Sequence, residues 1–221
     1  MKDRRIAPIV ALGALALIAA VVLLARGGSG EDSSTTASTN GCRAVVEPVA
    51  KDVTLKAPPQ TVKRGEQLTA VMETSCGTFE IALDTKRAPV TTNSFAYLGR
   101  QGFYDNLTFH RISPGFVIQG GDPNGTGTGG PGYSVDEKPP PNLAYTRGVV
   151  AMAKTAAEPP GRSGSQFFVV TGADAGLPPD YALVGRVSKG FGVVSRIGSL
   201  GTPSEKPKQT VLIDKVTIER G

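Results

Sequence analysis

The chain has 221 residues, 39% hydrophobic and 19% charged, with 28 Gly and 17 Pro. That is enough for one domain with a sizeable core plus appendages, built from short strands and turns. Lys2, Arg4, Arg5 and Arg26 against Asp3 supply more than half of the net charge of +5, and the remainder is too scattered for a nucleic-acid footprint.

Residues 1–5 read as a cytoplasmic tail. Ile6 to Ala25 is an unbroken apolar run of 20 residues, the length that crosses a bilayer as a helix. The basic residues before it keep the N-terminus inside and place the rest outside. The expectation is a single-pass cell-membrane anchor with an extracytoplasmic domain. The alternative is a cleaved signal peptide and a secreted product, although the apolar run is long and no clear cleavage site follows. Residues 26–41, rich in Gly, Ser and Thr, form a flexible linker.

Residues 42–67 read as an extended arm laid on the domain, since Ala57-Pro58-Pro59 interrupts any ladder. Cys42 and Cys76 are the only cysteines, and both lie beyond the apolar run. In an oxidising compartment they are expected to pair; two unrelated thiols are the alternative.

The domain proper spans residues 68–221. Leu68–Thr74 and Thr78–Asp84 read as a hairpin around Cys76-Gly77. Ala88–Gly99 reads as a helix, with Pro89 in its first turn and a glycine at its end. Phe109–Ile112 and Phe116–Gln119 alternate as strands around the turn Ser113-Pro114-Gly115. That period puts Arg111 opposite His110, and Val117 with Gln119 opposite Phe116 with Ile118, unless a bulge intervenes. A Gly-rich loop follows from Gly120 to Tyr133. Further strands are expected near Val149, Phe167, Ala182 and Val211, and a weaker helix over Ser188–Ile197. Many strands, two short helices and no βαβ rhythm predict a closed antiparallel β-barrel, mainly β in class.

Gly125-Thr126-Gly127-Thr128-Gly129-Gly130 matches GxGxxG, but Pro131-Gly132 leaves no helix N-terminus for a pyrophosphate. One His and two Cys lack the spacing of a metal site, so neither metal nor cofactor is expected. That single His, His110, is read as a structural, hydrogen-bonded residue.

The run from Phe109 to Asp122 (FHRISPGFVIQGGD) resembles the signature of the cyclophilins, the peptidyl-prolyl cis-trans isomerases. Gly148–Ala153 (GVVAMA), Gly164–Phe168 (GSQFF) and Leu183–Val187 (LVGRV) follow in that family's order. The resemblance covers roughly residues 68–219, and with the N-terminal anchor it is similar to a bacterial membrane-anchored form. It implies an eight-stranded barrel capped by two helices.

It also implies rotation about X-Pro bonds of extracytoplasmic, proline-containing polypeptides by a monomeric protein. Arg111 would be the catalytic donor that favours a deconjugated prolyl nitrogen. Gln119 would bind the substrate backbone and orient Arg111, and Phe116, Val117 and Phe168 would line the proline pocket. Gln166 would hydrogen-bond substrate or Arg111, and Ala153, Lys154, Leu177 and Tyr181 would complete the site.

Departures are visible. Lys154 replaces a usual Asn, Gly176-Leu177 a Trp-Leu pair, and Tyr181 a frequent His. The chain has no Trp, so weak cyclosporin affinity is expected. From a different class, a tethered binding module or holdase would use the same groove with little turnover, and a cell-surface interaction protein is a third possibility.

Overall fold

The computed structural model describes residues 40–221. The predicted anchor at 6–25 and most of the linker lie outside them. Among the described residues no helix is long and apolar enough to cross a membrane.

Eleven strands and two helices follow in order: β1 Leu68–Thr74, β2 Gly77–Leu83, α1 Pro89–Arg100, β3 Leu107–Thr108, β4 Arg111–Ser113, β5 Val117–Gly120, β6 Val135–Asp136, β7 Val149–Met152, β8 Arg162–Ser163, β9 Phe167–Val170, β10 Leu183–Lys189, α2 Phe191–Gly198 and β11 Leu212–Arg220. Nine strands form one antiparallel row, β3-β11-β1-β2-β10-β7-β9-β5-β4, and β6 pairs with β8 apart from it.

The strand count differs from the eight expected for a local reason. The strand expected over Phe109–Ile112 begins only at Arg111, and a separate short strand, β3, precedes it. β3 and β4 end the row on opposite sides, so the expected closed barrel is not closed by hydrogen bonds. The row returns on itself through the covalent link Phe109-His110, with no ladder between β3 and β4. Phe109 N–H is not wasted there; it donates to Val211 O at 3.0 Å.

The β1–β2 hairpin follows the alternation in its sequence. Leu68, Ala70 and Met72 point inward with Phe79, Ile81 and Leu83, while their neighbours face out. In α1, Pro89 sits in the first turn, and the Glu137 carboxylate accepts from the free amides of Val90 (3.2 Å) and Thr91 (2.7 Å). α2 begins at Phe191, later than Ser188. Gly190 is its left-handed cap (φ 74°), where a Cβ would stand 2.6 Å from Thr78 O, so this glycine ends the strand and admits the helix instead of weakening it.

Strands β7 and β9 are buried on both faces, which is why they read as continuous apolar runs, and β5 is buried except at half-buried Gln119. The inner side chains of the three strands, Ile118, Val150, Met152, Phe167 and Val169, join the main core with Phe95, Tyr104 and Phe109. Their outer ones, Val117, Val149, Ala151, Phe168 and Val170, form a second core with Tyr145 and Leu183, packed under Phe116, Leu143, Leu177 and Tyr181. The second core is the floor of the candidate site.

The arm has no strand, yet it is pinned along its length. Cys42 and Cys76 form a disulfide. Arg43, Lys51 and Leu55 amides donate to Ser75 O, Pro123 O and Pro131 O at 2.6, 2.9 and 2.7 Å. Buried Asn93 on α1 accepts from the amides of Thr61 and Val62 and donates to Pro59 O. Side-chain and backbone partners thus replace the ladder that the prolines forbid.

Candidate active site

Register brings the site together. In the β4–β5 hairpin Arg111 lies opposite Gln119, and Gln119 lies opposite Phe168 of β9, which lies opposite Ala151 of β7. Directly opposed residues share a face at about 5 Å, so one row across the outer surface carries guanidinium, amide and ring.

Arg111, Val117, Gln119 and Phe168 line a cleft of about 210 Å³ with Phe116, Ala153, Lys154, Leu177 and Tyr181. These are nine of the ten site residues expected from the resemblance. Gln166 is the tenth, and it lines a neighbouring pocket of about 680 Å³ bounded by Gly127–Ser134, Thr155 and Glu158.

Phe116 joins Val117 and Gln119 although strict alternation assigns it to the other face. It precedes β5 and belongs to the turn, where its amide donates to Ser113 O at 3.1 Å, so the strand period does not reach it. Its ring centroid lies 5.9 Å from the Arg111 Cζ, within cation–π range.

The guanidinium is held from two sides. Arg111 Nη1–H donates to Gln119 Oε1 (3.1 Å), Gln119 Nε2–H to Gln166 Oε1 (3.0 Å), and Gln166 Nε2–H to Gly129 O (3.0 Å). Gln166 therefore reaches Arg111 through Gln119, not directly. On the other side Arg111 Nε–H and Nη2–H donate to Glu205 Oε2 (2.6 Å) and Oε1 (3.0 Å). This pair holds the Glu205 carboxyl below its ordinary value, chiefly through the Arg111 hydrogen bond. Three of five N–H groups are used, which leaves one on each terminal nitrogen.

One wall of the cleft is aromatic. Phe168 is buried and meets Tyr181 edge-on at 5.5 Å and Tyr145 at 6.1 Å. Tyr145 fixes Tyr181 by donating to Tyr181 O (2.6 Å) and accepting from Tyr181 N–H (2.9 Å). Burial pushes the Tyr145 phenol up to about 12, so it is a neutral brace. Lys154 folds back: its ammonium lies 5.4 Å from the Tyr181 ring centroid and donates to Thr155 O and Glu158 O.

Two residues of the site escaped the sequence reading. Glu205 lies 94 positions from Arg111, between Ser204 and Lys206, with no periodic or motif signal. Tyr145 sits in a Pro-rich stretch that reads as loop. The tyrosine could have been flagged only as an aromatic with no strand to join.

Both His110 ring nitrogens are buried and make no well-aligned hydrogen bond among the described residues, while the Thr108 backbone contact favours the protonated ring. Burial lowers its pKa, opposed by Asp122 and aided by Arg111, which favours the neutral ring. The Gly-rich loop is organised from within: buried Asp122 accepts from the amides of Asn124 and Gly127. Two amides that a phosphate would need are therefore occupied.

Comparison with known proteins agrees with this geometry. The family described as "Cyclophilin type peptidyl-prolyl cis-trans isomerase/CLD" matches residues 69–218. The chain is 40% identical to "Peptidyl-prolyl cis-trans isomerase-like 1" of Gibberella zeae over 153 residues, covering 67% of this chain and 93% of that protein. Its identity to the Homo sapiens protein of the same description is 41% over 149 residues, covering 65% and 88%. A crystal structure of a Cryptosporidium parvum cyclophilin-type isomerase superposes with TM-score 0.65 at 32% identity, over 71% of this chain and 99% of that one. A second structure of that protein, determined in the presence of the dipeptide Ala-Pro, gives TM-score 0.64 at 31% identity over 69% and 99%. The arm lies wholly before the matched region; over residues 69–218 the chain belongs to the cyclophilin-type peptidyl-prolyl cis-trans isomerases.

Proposed function

We propose that this isomerase turns over X-Pro bonds in extracytoplasmic polypeptides with Arg111 as its catalytic donor, tethered to the membrane by residues 6–25. The single observation that carries the catalytic reading is the guanidinium beside an aromatic cleft, clamped by Glu205 and Gln119 with one N–H free on each terminal nitrogen. The related Cryptosporidium structure determined in the presence of the dipeptide Ala-Pro supports the substrate class.

The X-Pro bond resists rotation because the nitrogen lone pair is delocalised into the carbonyl, a barrier of roughly 18–20 kcal/mol. No bond is made or broken, so no nucleophile or proton transfer is needed. Phe168, Tyr181, Val117 and Phe116 hold the proline ring still. The residue before it then swings about the bond. A free Arg111 N–H, aimed at the prolyl nitrogen, is favoured when that nitrogen turns pyramidal and its lone pair localises. Shortening tens of seconds to milliseconds requires about four decades, or roughly 5–6 kcal/mol. A charge-assisted hydrogen bond and a fixed ring are together of that order.

The topology reading is supported by the 20-residue apolar run, the basic residues before it and the Cys42–Cys76 disulfide, which belongs in an oxidising compartment. Cleavage after the run, giving a secreted protein, is the competing outcome. Fractionation with an N-terminal mass measurement separates them: an intact N-terminus in the membrane fraction is expected. The bacterial membrane-anchored form rests on those N-terminal residues alone.

The test of catalysis is exchange spectroscopy on an Ala-Pro peptide. Wild type is expected to accelerate cis/trans exchange, and Arg111→Ala to lower kcat/KM by about 10²-fold or more. Equal, slow exchange in both, with peptide binding retained, would turn the reading into a tethered holdase.

A further inference from the structure

We propose that Glu205 is a positioning residue for turnover: its carboxylate sets the plane in which Arg111 presents its free N–H groups to the prolyl nitrogen. The inference rests on the assignment of Arg111 as the donor and adds the residue that aims it.

A guanidinium is a flat fork at the end of a flexible stem, so charge alone does not aim it. Two contacts on one edge and one on another remove its freedom to swivel. Glu205 supplies the first two, at 2.6 and 3.0 Å, and Gln119 the third, at 3.1 Å. With Glu205 removed, the single Gln119 bond leaves the fork hinged about one point.

The carboxylate is itself held in place. Glu205 has φ 61°, a left-handed conformation uncommon for a residue with a side chain. Its carbonyl accepts from Ile112 N–H at 2.8 Å and its amide donates to Thr202 O at 2.9 Å. Gly201 seats the loop against the same strand, since a Cβ there would stand 2.6 Å from Ile112 O. Backbone and side chain of Glu205 are therefore docked to β4, with Ile112 gripped through the main chain and Arg111 through the side chain.

A carboxylate beside a catalytic cation also offsets its charge, and the two effects have opposite signs. The Arg111 and Glu205 side chains are 34% and 40% exposed, so solvent screens the Coulomb term while the bidentate geometry persists. Positioning wins on this account. The same exposure means the pair contributes little to stability, so variants at Glu205 should fold.

The experiment measures kcat and KM separately for an Ala-Pro peptide, using the full chain with Arg111→Ala, Glu205→Ala, Glu205→Gln and the Arg111→Ala/Glu205→Ala double variant. Glu205→Ala is expected to lower kcat about tenfold with KM within about twofold, the order expected when a reacting donor is displaced by a fraction of an ångström. Glu205→Gln, which keeps one acceptor, should recover part of that loss. The double variant should be no slower than Arg111→Ala, because the two groups act as a unit. The Arg111 Nε–Hε NMR resonance should shift in both Glu205 variants while thermal unfolding stays at the wild-type value.

A normal kcat for both Glu205 variants beside a slow Arg111→Ala would overturn this inference alone. So would faster turnover in Glu205→Gln, which would mean that charge offset dominates, or a change confined to KM. A normal kcat for Arg111→Ala would overturn the assignment of Arg111 and this inference with it.

Discussion

Strands β4, β5 and β9 do different work on their two faces. Inward, Ile112, Ile118, Phe167 and Val169 belong to the main core, and Phe167 meets Phe95, Tyr104 and Phe109 edge-on at 5.6–6.0 Å. Outward, Arg111, Val117, Gln119 and Phe168 line the cleft. Adjacent residues are separated only by the pleat, yet one face holds the core together and the other lines the cleft. The rigid inner face fixes the register, and the register aligns Arg111, Gln119 and Phe168 to the accuracy catalysis needs. The division predicts that substitutions on the inner face change stability alone and those on the outer face also change binding or turnover.

The largest effect is expected inside. Phe167→Ala should cost about 3–5 kcal/mol in denaturant unfolding, because the aromatic cluster cannot collapse onto the cavity. Molecules that remain folded should keep their turnover; a folded but inactive variant would break the division. Next comes the disulfide. Its residues are 34 positions apart, a loop that contributes roughly 3–4 kcal/mol by chain entropy. Cys42→Ser should lower unfolding stability by up to that amount and leave kcat nearly unchanged, since neither cysteine lines the cleft. Two titratable thiols in the unreduced, denatured protein would contradict the bond itself.

Phe168→Leu, one residue from Phe167 but on the outer face, should weaken Ala-Pro binding about five- to tenfold, at a smaller stability cost than Phe167→Ala because Phe168 is buried in the second core. The smallest effect concerns pH. Burial lowers the His110 pKa beneath its ordinary 6.5, with Asp122 and Arg111 the charges facing it. The unfolded chain then binds the extra proton first, so this contribution to stability is complete above about pH 6.5 and shrinks as pH falls through the lowered value. Thermal unfolding of wild type should weaken more between pH 7 and pH 5 than that of His110→Phe. Parallel curves would show that the buried ring carries no such penalty.

Much of this was legible before any coordinates. The β1–β2 hairpin and α1 follow from periodicity, turn residues and Pro89, and Arg111, Gln119 and Phe168 are named by the resemblance to cyclophilins, their alignment in one row coming from the register. Features set by tertiary contact were not legible. The extra strand β3 before Phe109 depends on where β11 runs, and the place of Phe116 depends on the turn before β5. Gly190 looked like a poor helix residue because its real constraint is the Thr78 carbonyl of another strand. Glu205 was invisible for the same reason, since its role exists only once its loop has folded onto β4. The burial of both His110 ring nitrogens could not be inferred from a single His in an alternating run.

The central claim is that a fixed guanidinium fork, not merely a positive charge, lowers the barrier to X-Pro rotation. Arg111→Lys keeps the charge and removes the fork. Exchange spectroscopy on an Ala-Pro peptide, with affinity measured independently, is predicted to show kcat lowered at least about tenfold at unchanged affinity. An Arg111→Lys protein that turns over peptide at the wild-type rate would contradict it.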